Sequence, residues 1–228
     1  MVFLNNPRIN LVKIFSLFLI YGPITFIKFT LAYLYWNKFH NGRVRHLFAS
    51  ENIDCFRFSN DQMSLVENFV IHSKPDLILS VNCNALLPNS ILKCARLGGI
   101  NLHQGSVPLY RGLMPIFYSQ INNETTAGST VHCINSKFDC GDILVQEKIL
   151  INPGDNYVQI WDRLNDIGSK NLISVLEYIS TFNQLPPSEP QMGKSGYYSI
   201  PNLKLVFIYC YQQYIFKIKR FFNKFNLL

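Results

Sequence analysis

The chain has 228 residues, of which 48% are hydrophobic and 15% charged, and its net charge is +7. This composition excludes a wholly disordered chain, and the length suffices for one domain with a large core or for one domain with an appendage. The charge is uneven: residues 1–50 and 191–228 each carry six Lys/Arg and no acid, whereas 51–190 carry nine basic and fourteen acidic residues. We therefore expect a mildly acidic body between two basic, apolar ends.

Residues 1–50 are predicted to form an apolar, basic helical segment. The stretch from Ile14 to Trp36 is apolar enough to raise the question of a membrane span, but Gly22-Pro23 interrupts it and Lys28 would lie in hydrocarbon. No small-residue cleavage site follows, so a secretory signal fits poorly. We predict two helices hinged at Tyr21-Gly22-Pro23 and packed on a core, with a membrane contact as the alternative.

The six cysteines show neither a CxxC pair nor the regular spacing of a disulfide framework. A reducing compartment is therefore expected, and we predict a cytoplasmic location. A peripheral position on a membrane is the alternative. Zinc requires clustered Cys and His ligands, and His132-Cys133 alone does not supply them. The sequence thus predicts no metal site.

The body, residues 51–185, alternates predicted helices and strands. The helices are predicted over Asp61–Ser73, Pro88–Ala95, Pro115–Ile121 and Asn156–Ile179, and the strands over Asp76–Val81, Gly98–His103, Gly128–Ile134 and Ile143–Ile149. Continuous apolar strands are typical of parallel sheets covered on both faces. We therefore predict an α/β domain with a mostly parallel sheet and flanking helices.

Residues 186–228 are predicted to be a linker followed by a basic, aromatic helix from Leu203 to Phe225. Basic residues interleaved with aromatic ones suit a membrane surface or nucleic acid. A helix docked on its own domain or on a partner chain, as in a homodimer, explains the same residues. Because no clean polar face is visible, docking is favoured over membrane contact, and nucleic acid is not favoured as a partner.

An amide, an imidazole and a carboxylate occur where they can cooperate. Asn101 and His103 alternate on one predicted strand and so project from the same face, while Asp139 follows in a later loop. The amide and the imidazole can hold the oxygen of a tetrahedral intermediate, and the carboxylate can orient the imidazole. These groups are suited to moving an acyl unit onto an amine.

The run from Asn101 to Gly112, with Thr130-Val131-His132 and Phe138 to Ile143, resembles the folate-dependent formyltransferases. That family includes methionyl-tRNA formyltransferase, glycinamide ribonucleotide formyltransferase and the sugar N-formyltransferases. The resemblance covers roughly Asp54 to Ser199. It implies a Rossmann-like formyltransferase domain with 10-formyltetrahydrofolate as the donor.

The resemblance also implies roles for single residues. The catalytic residues would be Asn101, His103 and Asp139, with Asp139 holding His103 charged and raising its pKa. The pterin of the folate would be bound by Cys83, Asn84, Ala85, Leu86, Leu87, Asn135 and Phe138. The acceptor would contact Ser106, Arg111, Gly112 and His132. Arg111 suits an acceptor phosphate, with a structural role in its loop as the alternative, and His132 is expected to support rather than to catalyse.

Two departures from the family pattern shape the remaining expectations. The family opens with a strand–turn–helix unit, and we predict no counterpart of it before Leu11, so the N-terminal unit is expected to be incomplete. The β-rich C-terminal domain of the tRNA enzymes has no match here, so the expected acceptor is an amino sugar, nucleotide-linked, for surface polysaccharide. The alternatives are glycinamide ribonucleotide or methionyl-tRNA as acceptor, or an inactive relative that binds partners.

Overall fold

The computed structural model describes residues 2–5, 11–40, 43–58, 62–83 and 85–224. The chain divides into two compact units, Met1–Phe69 and Val70–Leu228. The helix α4, Met63–Ser73, runs through the boundary between them. Before α4 the elements are β1 (Val2–Asn5), α1 (Leu11–Tyr21), α2 (Pro23–His40), α3 (Arg43–Ser50) and β2 (Cys55–Phe58).

The first unit contains the predicted helical hairpin. Gly22, at a φ of +78°, separates α1 from α2 as expected, and the two helices contact each other through Phe18 on Phe26 and Tyr21 on Phe29. Within the residues that the structure describes, no helix combines the length and the apolarity needed to cross a bilayer. The prediction of no counterpart of the family's strand–turn–helix unit before Leu11 did not anticipate β1, which pairs in parallel with β2. Its four residues are too few to show a periodicity.

The second unit is built on a four-stranded sheet with the order β3-β4-β6-β7. Its strands and helices are β3 (Ile78–Val81), α5 (Asn89–Cys94), β4 (Gly99–His103), β5 (Arg111–Gly112), α6 (Pro115–Ile121), β6 (Thr126–Cys133), β7 (Ile143–Leu150), α7 (Tyr157–Phe182), β8 (Tyr197–Tyr198) and α8 (Leu203–Lys224). The α/β class is thereby confirmed. The strand directions differ from the expected mostly parallel sheet: β3 and β4 are parallel, whereas the β4–β6 and β6–β7 pairs are antiparallel.

The core of the second unit lies between this sheet and α7. Ile100 and Leu102 of β4 and Val131 of β6 pack against Leu172 and Val175 of α7. Burying these apolar side chains stabilises the fold and fixes which face of β4 points inward. The alternate residues of β4, Asn101 and His103, are thereby held on the opposite face.

The C-terminal part of the chain packs against the α/β body. Residues 186–201, here called the strap, contain β8, which pairs in parallel with β5. After the strap, α8 docks on α6: the Phe117 and Tyr209 rings lie 4.9 Å apart between centroids, and the Tyr209 hydroxyl donates to Gln120 Oε1. The predicted docking of the C-terminal helix on its own domain is confirmed for this part of α8.

Candidate active site

The strand β4 delivers two polar side chains to one place. Asn101 is partly buried, and His103 is 8% exposed. The His103 Nε2 lies 2.7 Å from the backbone oxygen of Tyr110, which holds the ring with Nδ1 facing the opposite way. A Cβ on Gly105 would lie 2.5 Å from both atoms of this hydrogen bond, so the bond requires glycine at that position.

The antiparallel pairing of β4 with β6 adds a second histidine. His132 lies directly across from Asn101 in the register and is 2% exposed. Its Nδ1 is 2.8 Å from the Cys133 oxygen, and its Nε2 is 3.2 Å from the Asn101 amide nitrogen. When Nδ1 donates to that oxygen, the Nε2 lone pair accepts from Asn101, so His132 fixes the orientation of the amide.

Asp139 reaches the same cluster from residues 134–142, here called the Asp139 loop. Its Oδ1 lies 3.6 Å from His103 Nδ1 and 3.4 Å from His132 Nε2, and Asn101 Nδ2 donates to it at 3.4 Å. Its Oδ2 accepts from the Gly112 N–H at 2.8 Å. The structure brings Asn101, His103 and Asp139 together, and their catalytic roles stay predictions.

The net shift of the His103 pKa is opposite to the expected one. Burial lowers the pKa of His103 below its ordinary value, and the opposing effects of Asp139 and of the hydrogen bond to Tyr110 do not reverse this. Asp139 raises the pKa of His103 as expected, but the expectation that it holds His103 charged is wrong, because desolvation disfavours the imidazolium more than the carboxylate favours it. The lowered pKa favours the neutral imidazole at pH 7.

The Asp139 carboxyl stays ionised in the same surroundings. Burial by itself raises its pKa, but the proximity of His132 and His103 and the hydrogen bond from the Gly112 N–H outweigh burial and lower the pKa below the ordinary value. The cluster thus holds a neutral imidazole next to a carboxylate. A proton that arrives at His103 Nδ1 is met by a negative charge already in place.

A cleft opens next to this cluster and encloses about 360 Å³, counting the space at its mouth. Its lining includes the predicted cofactor residues Cys83, Ala85, Leu86, Leu87, Asn135 and Phe138, together with Asn101, His132 and Asp139. Asn84, predicted with them, lies outside the described residues. Ser80, Ile134 and Lys137 also line the cleft and were not predicted. The lining combines apolar side chains with hydrogen-bonding groups, a mixture that suits a polar heterocycle such as a pterin.

The predicted acceptor residues have different surroundings. Arg111 donates from Nε and Nη2 to Gln191 Oε1, at 2.9 and 2.6 Å. Gly112 lies at a φ of +90° beneath the strap, where a Cβ would overlap the Tyr198 oxygen, and its N–H holds Asp139. Ser106 lies against Gly128 of β6, and it is not part of the cleft lining. Of the four, His132 alone lies in the cleft, and the acceptor roles stay predictions.

Sequence reasoning missed two groups beside the cluster, both in the strap. Gln191 bonds Arg111 and the Asp139 loop, and Tyr197 contacts Phe138 with 6.4 Å between ring centroids. Tyr197 is 60% exposed and Phe138 is 36% exposed. The run from Tyr197 to Pro201 resembles formyltransferase-like proteins that act on amino sugars, but it assigned no site role to Tyr197, and Gln191 lies in no motif. Both residues come close to the cluster through the β5–β8 pairing of segments far apart in sequence.

Comparison with known proteins shows the family of the chain. The sequence profile of the family described as "Formyl transferase" matches residues 38–176, more than half of the chain. The chain therefore belongs to the formyl transferase family, and the resemblance stated from its motifs is confirmed.

Two curated relatives and one solved structure illustrate the similarity. The methionyl-tRNA formyltransferase of Lactiplantibacillus plantarum is 34% identical over 65% of this chain and 48% of its own length. The GDP-perosamine N-formyltransferase of Brucella melitensis is 32% identical over 55% of this chain and 47% of its own length. The chain thus spans about half the length of the curated relatives it matches.

A solved structure shares the fold. It is the formyltransferase PseJ of Anoxybacillus kamchatkensis, which was solved with UDP-4,6-dideoxy-4-formamido-L-AltNAc and tetrahydrofolate. The TM-score is 0.52 at 17% identity, and the match covers 86% of this chain and 84% of that chain.

Proposed function

We propose that this protein transfers a formyl group from 10-formyltetrahydrofolate to a primary amine. One observation carries the proposal: the cleft lined by the residues expected to bind the pterin ends at the cluster of Asn101, His132 and Asp139, with His103 beside it. A donor bound in the cleft would therefore have its reactive end beside an amide, an imidazole and a carboxylate. These groups suit acyl transfer to nitrogen.

The donor, when bound, supplies the formyl carbon and a nitrogen leaving group that accepts a proton. The cleft fits it, since Leu86, Leu87 and Phe138 offer apolar surface and Asn135 offers hydrogen bonds. Both curated relatives above are named as formyltransferases, and PseJ was solved with tetrahydrofolate.

The residues of the cluster have separate tasks in this mechanism. The Asn101 amide gives up its long donation to Asp139 Oδ1, at 3.4 Å, and donates instead to the oxygen that becomes negative as the acceptor nitrogen bonds to the formyl carbon. Neutral His103 takes the proton that the acceptor nitrogen loses and returns it to the leaving nitrogen as the old carbon–nitrogen bond breaks. Asp139 stabilises the imidazolium in between, and His132 keeps Asn101 oriented.

The experiment that tests the proposal uses the whole chain. Transfer of label from 10-formyltetrahydrofolate is measured with a panel of nucleotide-linked amino sugars, glycinamide ribonucleotide and methionyl-tRNA, and binding of a non-reactive folate analogue is measured by calorimetry. Formyl transfer to any of these amines supports the proposal. A correctly folded chain that neither binds the analogue nor modifies any acceptor contradicts it.

For the acceptor we propose an amino sugar, nucleotide-linked and destined for a surface polysaccharide. The GDP-perosamine enzyme and PseJ, whose names and ligands refer to such sugars, support this choice. The exposed aromatic pair Phe138–Tyr197 also supports it, because aromatic rings pack well against the apolar face of a sugar or a base. The similarity to methionyl-tRNA formyltransferases is of the same size, so tRNA is kept in the panel as the competing outcome.

Tyr197→Ala is expected to raise the KM for the accepted sugar about three- to tenfold, because a ring contact contributes about 0.5–1.5 kcal/mol. The Kd of the folate analogue should stay unchanged. Steady-state kinetics and calorimetry measure the two quantities, with Tyr211→Ala on the exposed face of α8 as the matched control. A weaker folate affinity with an unchanged acceptor KM would place the donor, rather than the acceptor, against Tyr197.

A further inference from the structure

Gln191 of the strap joins two segments of the candidate site. Its Oε1 accepts two hydrogen bonds from Arg111, next to Gly112. Its Nε2 donates to the backbone oxygens of Asp139 and Gly141, at 2.9 and 2.6 Å. One carboxamide thus connects β5 to the Asp139 loop through four hydrogen bonds.

The chemistry of this connection requires an amide. Arg111 offers only N–H donors, so its partner must be an acceptor, whereas the carbonyls of Asp139 and Gly141 require a donor. A carboxylate could satisfy Arg111 but would face two carbonyl oxygens, and an apolar side chain would satisfy neither group. A carboxamide provides both functions within one side chain.

The position of the Asp139 carboxylate depends on the segments that Gln191 connects. Asp139 has a φ of +51°, a conformation that L-residues seldom adopt and that neighbouring contacts must hold. Its Oδ2 is bound by the Gly112 N–H, in the same two-residue strand as Arg111. Gln191 therefore holds both the backbone of Asp139 and the strand whose N–H anchors its side chain.

We infer that Gln191 is a positioning residue for the Asp139 carboxylate, acting by hydrogen bonds to the backbone of the Asp139 loop. This inference rests on the proposed function, in which Asp139 stabilises the imidazolium of His103. Without Gln191, the carboxylate moves relative to His103 Nδ1, while Leu86 and Leu87, which line the cleft from a separate segment, keep their places. The loss then falls on turnover and on the protonation of His103 rather than on donor binding.

Two variants separate the two halves of the amide. Gln191→Met keeps the length of the side chain and removes all four hydrogen bonds. Gln191→Glu keeps an acceptor for Arg111 and removes the two donations to the Asp139 loop. Both are expected to lower kcat about tenfold to 100-fold, since a displacement of about 1 Å at a reacting group has effects of this size. Met192→Ala, next in the strap and 79% exposed, is the matched control with wild-type kcat expected.

Three readouts distinguish positioning from a general loss of structure. In Gln191→Met the acid limb of the kcat profile should move to lower pH, because the Asp139 charge no longer supports the His103 imidazolium. The Kd of the folate analogue should change less than about threefold, a difference under 1 kcal/mol. NMR titration of His103 should show the same downward movement of its pKa in the Met variant, without any need for turnover.

The outcomes are decisive in each case. Wild-type kcat in Gln191→Glu would assign the effect to Arg111 and overturn the inference, as would an unmoved His103 titration in Gln191→Met. If the Met variant fails to fold, the Glu variant and its kcat alone decide. Failure of the proposed function is recognised separately, since the wild-type chain itself would then lack folate binding and transfer while the NMR titration still tests Gln191.

Discussion

Replacing Asp139 by Asn is expected to lower the turnover of formyl transfer about 10³-fold, or about 4 kcal/mol in activation free energy. The Asp139 Oδ1 lies between the two histidines, 3.6 Å from His103 Nδ1 and 3.4 Å from His132 Nε2. Its negative charge stabilises the imidazolium that forms when His103 takes a proton. An amide of the same shape has no charge, so the proton transfer loses its electrostatic support.

The substitution is suited to isolating the charge. Asp139 lies at a φ of +51°, which Asn adopts more readily than other residues with a Cβ, and the amide oxygen can still accept from the Gly112 N–H. Asp142→Asn, at an exposed position of the same loop, is the matched control. Initial rates and thermal unfolding are measured for both variants. A folded Asp139→Asn protein with turnover within about threefold of the wild type would refute the role of the carboxylate.

The parts of the site that the sequence predicted are those encoded by local patterns. Alternation along β4 separates the core residues Ile100 and Leu102 from Asn101 and His103, and a period of two is visible in five residues. The helix α7 begins with an Asn156 capping box and has buried residues at helical spacing, so its position was predicted within a few residues. The resemblance of the motifs to the formyltransferases then added Asp139 to the predicted site.

The parts that the sequence did not predict depend on pairing between distant segments. The two-residue strands β5 and β8 show no periodicity, so nothing indicated that the strap would lie over Gly112. Gln191 is 80 residues from Arg111, and their contact exists only in the folded chain. The direction of β6 and β7 is likewise set by how the strands are connected and packed. The apolar residues of a buried strand do not by themselves show whether it pairs in a parallel or an antiparallel direction.

The direction of the His103 pKa shift was also not predictable from the sequence. A carboxylate near an imidazole suggests a raised pKa, but the degree of burial decides the net direction, and burial is known only from the fold. His103 is 8% exposed, so desolvation outweighs Asp139. This changes the proposed role of His103 from a permanent cation to a base that is charged only during the reaction.

Replacing His103 by Asn is therefore expected to lower kcat/KM about 10²- to 10⁴-fold at pH 7 and to remove the acid limb of the pH profile. In the wild type, the base is active when neutral, so activity should fall as the pH drops through the His103 pKa. That pKa is lowered from 6.5, so the limb lies below pH 6.5. His72→Asn, at an exposed position of α4, is the control that should keep both the rate and the limb.

The same group gives a stability signature with a defined sign. Because the folded chain holds His103 with a lowered pKa, the unfolded chain binds the proton more readily below pH 6.5. The contribution of this group to the free energy of unfolding is fully present above pH 6.5 and is lost as the pH falls toward the folded pKa. Thermal unfolding between pH 5 and 7 should therefore depend less on pH in His103→Asn than in the wild type.

The kinetic prediction has its own contradicting outcome. An acid limb of kcat/KM that persists unchanged in His103→Asn would show that another group acts as the base.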